Sequence, residues 1–200
     1  MDSPLVLEDI HIDRIPAGSS HVAHAAHLHT TCMPETITSQ RGAVTLAGIY
    51  ERLLQNGHSI YVATRQGSVL GGIVILEHHR KRATLFTMLH RPWSWMIAIR
   101  RLGIAAFSKQ LLDVLAVQQA AGNLPAHNYI VAVYVDPGTR RAGIARQLLG
   151  RATEDARSRG VALAVDTLQS NSSAQHLYLN LGFTEQQRTK KSVMFTVGVG

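Results

Sequence analysis

The stretch Arg140-Arg141-Ala142-Gly143-Ile144-Ala145 stands where the chain changes from one periodicity to another. Before it, residues 129–135 (YIVAVYV) form an unbroken β-branched and aromatic run, the pattern of a strand buried on both faces. After it, Ile144, Leu148, Leu149, Ala152 and Ala156 recur at helical spacing. Asp136-Pro137-Gly138 supplies turn residues between the two. The unit is a strand, a small-residue turn and a helix. A helix start presents unpaired N–H groups and the positive end of a dipole. Ala142, Gly143 and Ala145 let a ligand approach that backbone, and Arg140 and Arg141 add charge. Such a turn suits a phosphate or pyrophosphate.

At these residues the chain resembles the GNAT superfamily of acyl-CoA-dependent N-acyltransferases. The family's pyrophosphate loop, Arg/Gln-x-x-Gly-x-Gly/Ala, reads here Arg140-x-x-Gly143-x-Ala145. A second block follows at the expected distance, after a strand predicted at 161–167: Asn171-x-x-Ala174-x-x-Leu177-Tyr178-x-x-Leu181-Gly182-Phe183. The two blocks span residues 129–183; upstream, only the order of elements matches. Ala145 replaces the commonest last glycine, but that position is already helical, where Ala is favoured over Gly. The resemblance implies an α/β (α+β) fold with a mixed, mostly antiparallel central sheet flanked by helices. It also implies acetyl-CoA as acyl donor, held by Arg140, Arg141, Ala142, Gly143, Ile144 and Ala145, by the backbone of Val133, Tyr134 and Val135, and by Asn171 and Tyr178.

The 200 residues suit a single domain spanning 1–200, and 46% hydrophobic residues is ordinary for a globular protein. Cys32 is the only cysteine, which excludes a disulfide framework and a cysteine-rich metal site. The start of the chain is acidic and lacks the basic and apolar regions of a secretion signal. No apolar run approaches the ~20 residues that span a bilayer. A cytoplasmic enzyme is expected. The net charge of +7 is mostly arginine. Part of it is expected to face CoA phosphates. Without a run of five or six basic residues or a basic-aromatic alternation, nucleic-acid binding is not expected.

Upstream, residues 5–15 read as a strand ending at Pro16, followed by a helix through His21, Ala25 and Leu28 capped by Ser19 or Ser20. Residues 39–54 read as a second helix closed by Asn56-Gly57. Strands at 59–65 and 69–77 flank a Gln66-Gly67 hairpin turn, and 83–88 extends the sheet. Residues 92–122 carry helical spacing where relatives have a short connection. Trp93, Trp95, Arg100 and Arg101 fit this insertion to be a substrate lid, a homodimer surface or an interfacial helix, and as an extra packed helix it needs no function. A strand pair at 184–189 and 192–197 closes the fold.

Acyl transfer from a thioester to an amine needs a bound donor, a neutral amine, a group facing the developing oxyanion and an acid for the leaving thiolate. By the resemblance, Tyr178 is the acid; by packing alone it would be a core residue beside Leu177 and Leu181. Asn171 starts the helix of the second block and is a natural cap. The base is not identified: Glu77, His79, His127, Asp166, His29 and Glu35 are the candidates, each as readable as a structural or surface residue. His21, His24, His27 and His29 lack a carboxylate or thiol to complete a metal set, so no metal is expected. The expected function is acetylation of a primary amine on a small molecule by direct attack in a ternary complex. The alternatives are acetylation of a protein lysine or N-terminus, and an acyl-CoA-binding module without turnover.

Overall fold

A computed structural model describes residues 9–77 and 127–198, with isolated positions 96, 99–100, 103–105 and 108 between them. Candidate base His79, the sheet extension at 83–88 and most of the insertion at 92–122 lie outside the described residues.

Among the described residues seven strands, β1 (His11–Arg14), β2 (Ser59–Arg65), β3 (Ser68–Leu76), β4 (His127–Val135), β5 (Ala162–Leu168), β6 (Thr184–Arg188) and β7 (Ser192–Val197), form one sheet in the order β1-β2-β3-β4-β5-β7-β6. Only β4 and β5 run parallel; the other neighbouring pairs are antiparallel. The mixed, mostly antiparallel sheet is the one expected. Its β2–β3 hairpin turns through Gln66 and Gly67, both at positive φ (50° and 79°), as a two-residue turn matching the strand twist requires.

Period-two alternation divides the core between the two faces of the sheet. On one face, helices α1 (His21–Cys32) and α3 (Ala43–Gln55) cover Ile60, Val62, Val74, Tyr129, Ala132 and Tyr134. On the other, helices α4 (Ile144–Ser158) and α5 (Ser172–Asn180) cover Tyr61, Ile73, Ile75, Ile130, Leu163 and Phe195. Helix α4 buries the residues its periodicity marks: Ile144, Leu148, Leu149, Ala152 and Ala156 are each at most 2% exposed. Each of the three larger side chains contributes ~1.5–3 kcal/mol by that burial. Gly71 lets α4 come this close, for a Cβ there would stand 2.9 Å from the Tyr134 carbonyl and 3.2 Å from Ile144.

Among the described residues β1 covers only His11–Arg14 of the strand expected at 5–15, and two further elements differ from the sequence reading. The helix expected at 39–54 is two helices, α2 (Ile37–Gln40) and α3. Thr36 caps α2 by accepting from the Ser39 N–H at 3.3 Å, and Gly42 at φ 88° breaks the backbone before α3. The second difference lies in β4. Val74 pairs with Ala132 but Ile75 pairs with Ile130, so Val131 is an extra, bulged residue. The bulge keeps Tyr129, Ala132 and Tyr134 on one face although their spacing breaks strict alternation.

Candidate active site

The site begins where β4 and β5 part. Their ladder runs from His127 opposite Ala162 to Ile130 opposite Val165 and stops there. Yet β4 continues to Val135 and β5 to Leu168. Beyond this point β4 keeps its ladder with β3 and pairs with no further strand among the described residues, and the Val135 carbonyl accepts from the Cys32 thiol at 3.3 Å. The Asp136 N–H donates to Leu70 O at 2.8 Å on the β3 side. Backbone groups alternate in direction along a strand, so Val135 and Val133 turn their N–H and C=O toward the gap left by β5. This edge can take an extended chain bearing amides.

The edge leads into the loop of small residues. Asp136 accepts from the Gly138 N–H at 2.7 Å and ends the strand. Arg141 (φ 65°) and Gly143 (φ 76°) are both left-handed, which folds the loop back over the start of α4. For arginine that conformation costs roughly 1–2 kcal/mol. Gly143 gives α4 no side-chain cap, and the first helical bond runs from the Gln147 N–H to Gly143 O. The N–H groups of Ile144, Ala145 and Arg146 therefore have no partner within the helix. An anion is the ligand such a helix start accepts. Arg140 stands close enough to Cys32 to act on its thiol, which burial nevertheless holds above its usual pKa.

Asn171 caps α5 by accepting from the Ala174 N–H at 3.1 Å. Tyr178, on that helix, is 5% exposed, its ring lying 5.7 Å from both Phe183 and Phe195. Its hydroxyl has no hydrogen-bond partner among the described residues. Burial, with the charge of Asp166 added, keeps its phenol well above the usual pKa. Asp166 is the first residue of β5 past the point of parting. Tyr129, from β4, donates a hydrogen bond to Asp166 Oδ1. Burial raises the Asp166 carboxyl above the ordinary aspartate value, and the Tyr129 bond offsets part of that rise. One carboxyl and two phenols thus gather at the mouth of the gap.

The other base candidates lie elsewhere. Glu77 sits at the opposite end of β4, where it accepts from Ser59 Oγ at 2.9 Å and Arg159 at 3.0 Å. The His58 ring accepts from the Glu77 N–H at 3.0 Å, and His127 and Asn128 are buried beside them. His127 lies six positions before Val133, about 20 Å of strand. This cluster ties β2, β3, β4 and α4 together. His29 is in the core, its Nδ1 2.6 Å from Tyr50 Oη, and burial lowers its pKa to about 4. Glu35 is exposed on the turn after α1. Of the histidines on α1, His24 and His27 are exposed while His29 is buried, and no group of three or more His, Cys, Asp or Glu side chains among the described residues is placed to hold a metal. No helix of the described residues is long and apolar enough to cross a membrane.

The parting of β4 and β5, the strand edge beyond it and the uncapped start of α4 follow one another along the chain. The sequence matches the acetyltransferase (GNAT) family over residues 23–183. No curated protein matches it. Among solved structures, agmatine N-acetyltransferase, in the apo form of a single-residue variant, is 16% identical with a TM-score of 0.65, covering 95% of this chain and 100% of its own. The ribosomal-protein-S18-alanine N-acetyltransferase of Escherichia coli is 16% identical with a TM-score of 0.55, covering 95% and 94%. The yncA structure from Salmonella typhimurium, described with its cofactor acetyl-CoA, is 15% identical with a TM-score of 0.60, covering 96% and 95%.

Proposed function

The chain belongs to the GNAT acetyltransferase family, and from that premise we propose that it acetylates a primary amine of a small molecule by direct attack in a ternary complex. Acetyl-CoA supplies the acetyl group as a thioester. The parting of β4 and β5 after the Ile130–Val165 pair carries this reading, because it joins the strand edge, the anion-binding turn and the titratable groups in one place.

In this reading the uncapped start of α4, with Arg140 and Arg141, holds the pyrophosphate. Val133 and Val135 bond the pantetheine amides and align the thioester with the gap. Asp166 receives the proton of the incoming ammonium, so that a neutral nitrogen attacks the carbonyl carbon. The C–N bond forms, the C–S bond breaks as Tyr178 gives its proton to the departing sulfur, and the second proton lost by the nitrogen returns to the Tyr178 oxygen, leaving the amide, the free thiol and a protonated Asp166. The raised pKa of Asp166 makes it a better base than a solvated aspartate. Its charge also strengthens the hold of Tyr178 on its proton. Once Asp166 is protonated that charge is gone, and the phenol gives up its proton more easily. The two transfers therefore support one another in that order.

A small acceptor fits a single, largely enclosed carboxyl flanked by phenols. Such an enzyme would work in the cytoplasm, where acetyl-CoA is available. The test is thiol release from acetyl-CoA with a panel of agmatine, putrescine, glycinamide and an alanyl peptide. Release driven by small amines supports the reading. Release with the peptide alone moves the acceptor to proteins. Tight acetyl-CoA binding without release on any amine would make the protein a binding module.

A further inference from the structure

We infer that Tyr129 is a positioning residue for the reaction: its hydroxyl holds Asp166 at the mouth of the gap and sets the pH at which that carboxylate works. The inference rests on the assignment of Asp166 as base. Tyr129 and Asp166 are 37 residues apart in sequence but adjacent in space. Tyr129 pairs with Ala164, and Asp166 lies two residues farther along β5 on the same face. The contact exists because β4 and β5 are parallel and in this register. The bulge at Val131 then turns β4 away from β5 just beyond it.

The bond to Oδ1 leaves Oδ2 as the oxygen that can meet an ammonium. It also fixes the carboxyl rotamer, which a base must hold within hydrogen-bond reach of its proton. The groups acting on Asp166 are few. Tyr129 reaches it from β4 and Tyr178 from α5, while its pairing partner on β7 is the apolar Met194. No described arginine or lysine is paired with it. Among the described residues Tyr129 is thus the side chain donating to it, and burial opposes ionisation.

The experiment compares wild type with Tyr129→Phe, which removes one hydroxyl and little volume. The Asp166 carboxyl carbon is followed by ¹³C NMR against pH, with Asp166→Asn to assign the resonance. Loss of the phenolic donor should raise the Asp166 midpoint by about one pH unit, the tenfold change expected for one hydrogen bond to a charged group. The acidic limb of kcat/KM, measured with acetyl-CoA and the best amine of the panel, should move up by the same amount. Acetyl-CoA affinity should be retained. A midpoint unchanged in a folded Tyr129→Phe protein overturns the inference and leaves Asp166 as base untouched. A midpoint that moves while the acidic limb stays, or full activity in Asp166→Asn, overturns the assignment of Asp166 and with it any catalytic part for Tyr129.

Discussion

Cys32 and Val135 meet at the open edge of the sheet, where the thiol of α1 donates to the β4 carbonyl at 3.3 Å. Val135 is one of the residues expected to line the pantetheine arm, so the single cysteine of the chain is a reporter placed beside it. Burial raises the thiol pKa, and the Arg140 charge offsets part of the rise. Alkylation by iodoacetamide at pH 8.5 should be slow and first-order. Saturating acetyl-CoA should slow it several-fold, measured by mass spectrometry. Equal rates with and without acetyl-CoA would place the arm away from this edge.

The turn before α4 offers a second test. Gly143 sits at φ 76°, so any side chain there is strained, by roughly 1–2 kcal/mol. Gly143→Ala measures that strain alone and should fold with weakened acetyl-CoA binding. Gly143→Glu adds a carboxylate beside the first-turn N–H groups and should abolish binding in calorimetry, by obstruction and by repulsion of phosphate. A folded Gly143→Glu protein with the affinity of Gly143→Ala would remove the turn from the cofactor site.

Much of this turn was legible because its signal is local. A strand period, turn residues and a helical period follow one another within thirty residues, and the buried face of α4 is the one its spacing marks. Gly42 was harder, since one glycine inside a helical pattern is usually tolerated. The deciding features were its positive φ and the Thr36 cap, which a pattern of apolar residues does not encode. Within YIVAVYV nothing singles out Val131 as the bulge, because every residue of the run is compatible with burial. The Tyr129–Asp166 contact depends on the register of two strands joined through a helix. Asp166 stands among several base candidates in the sequence, and its contact with a phenol is visible only in that register.

The buried cluster at the far end of β4 predicts a pH dependence of stability. Burial would raise the Glu77 carboxyl, but bonds from Arg159 and Ser59 and the arginine charge bring it below the usual glutamate value. A carboxyl with a depressed folded pKa stabilises the fold above its unfolded pKa, and the contribution fades as pH falls through the folded value. Glu77→Gln should therefore cost about 1–2 kcal/mol in urea unfolding at pH 7, since Arg159 is partly solvated. The difference from wild type should shrink steadily below about pH 4. A gap that is constant from pH 7 to pH 3 would mean that shape, not charge, is what Glu77 supplies.

Tyr178 is both a core residue and the proposed acid, and one substitution separates the two. Its ring fills the space between Phe183 and Phe195, which phenylalanine fills equally well. Its hydroxyl bonds to nothing among the described residues, so Tyr178→Phe should leave stability within about 0.5 kcal/mol of wild type. If the hydroxyl protonates the leaving thiolate, kcat should fall by on the order of 10²–10⁴ while acetyl-CoA affinity is nearly kept. The basic limb of the kcat profile should also be altered, because that limb reports the group that must be protonated. At pH 7 the wild-type phenol is fully protonated, since burial and Asp166 both raise its pKa, so the deficit should be present across the neutral range. A Tyr178→Phe enzyme with wild-type kcat would return Tyr178 to the core and leave the thiolate to be protonated by water.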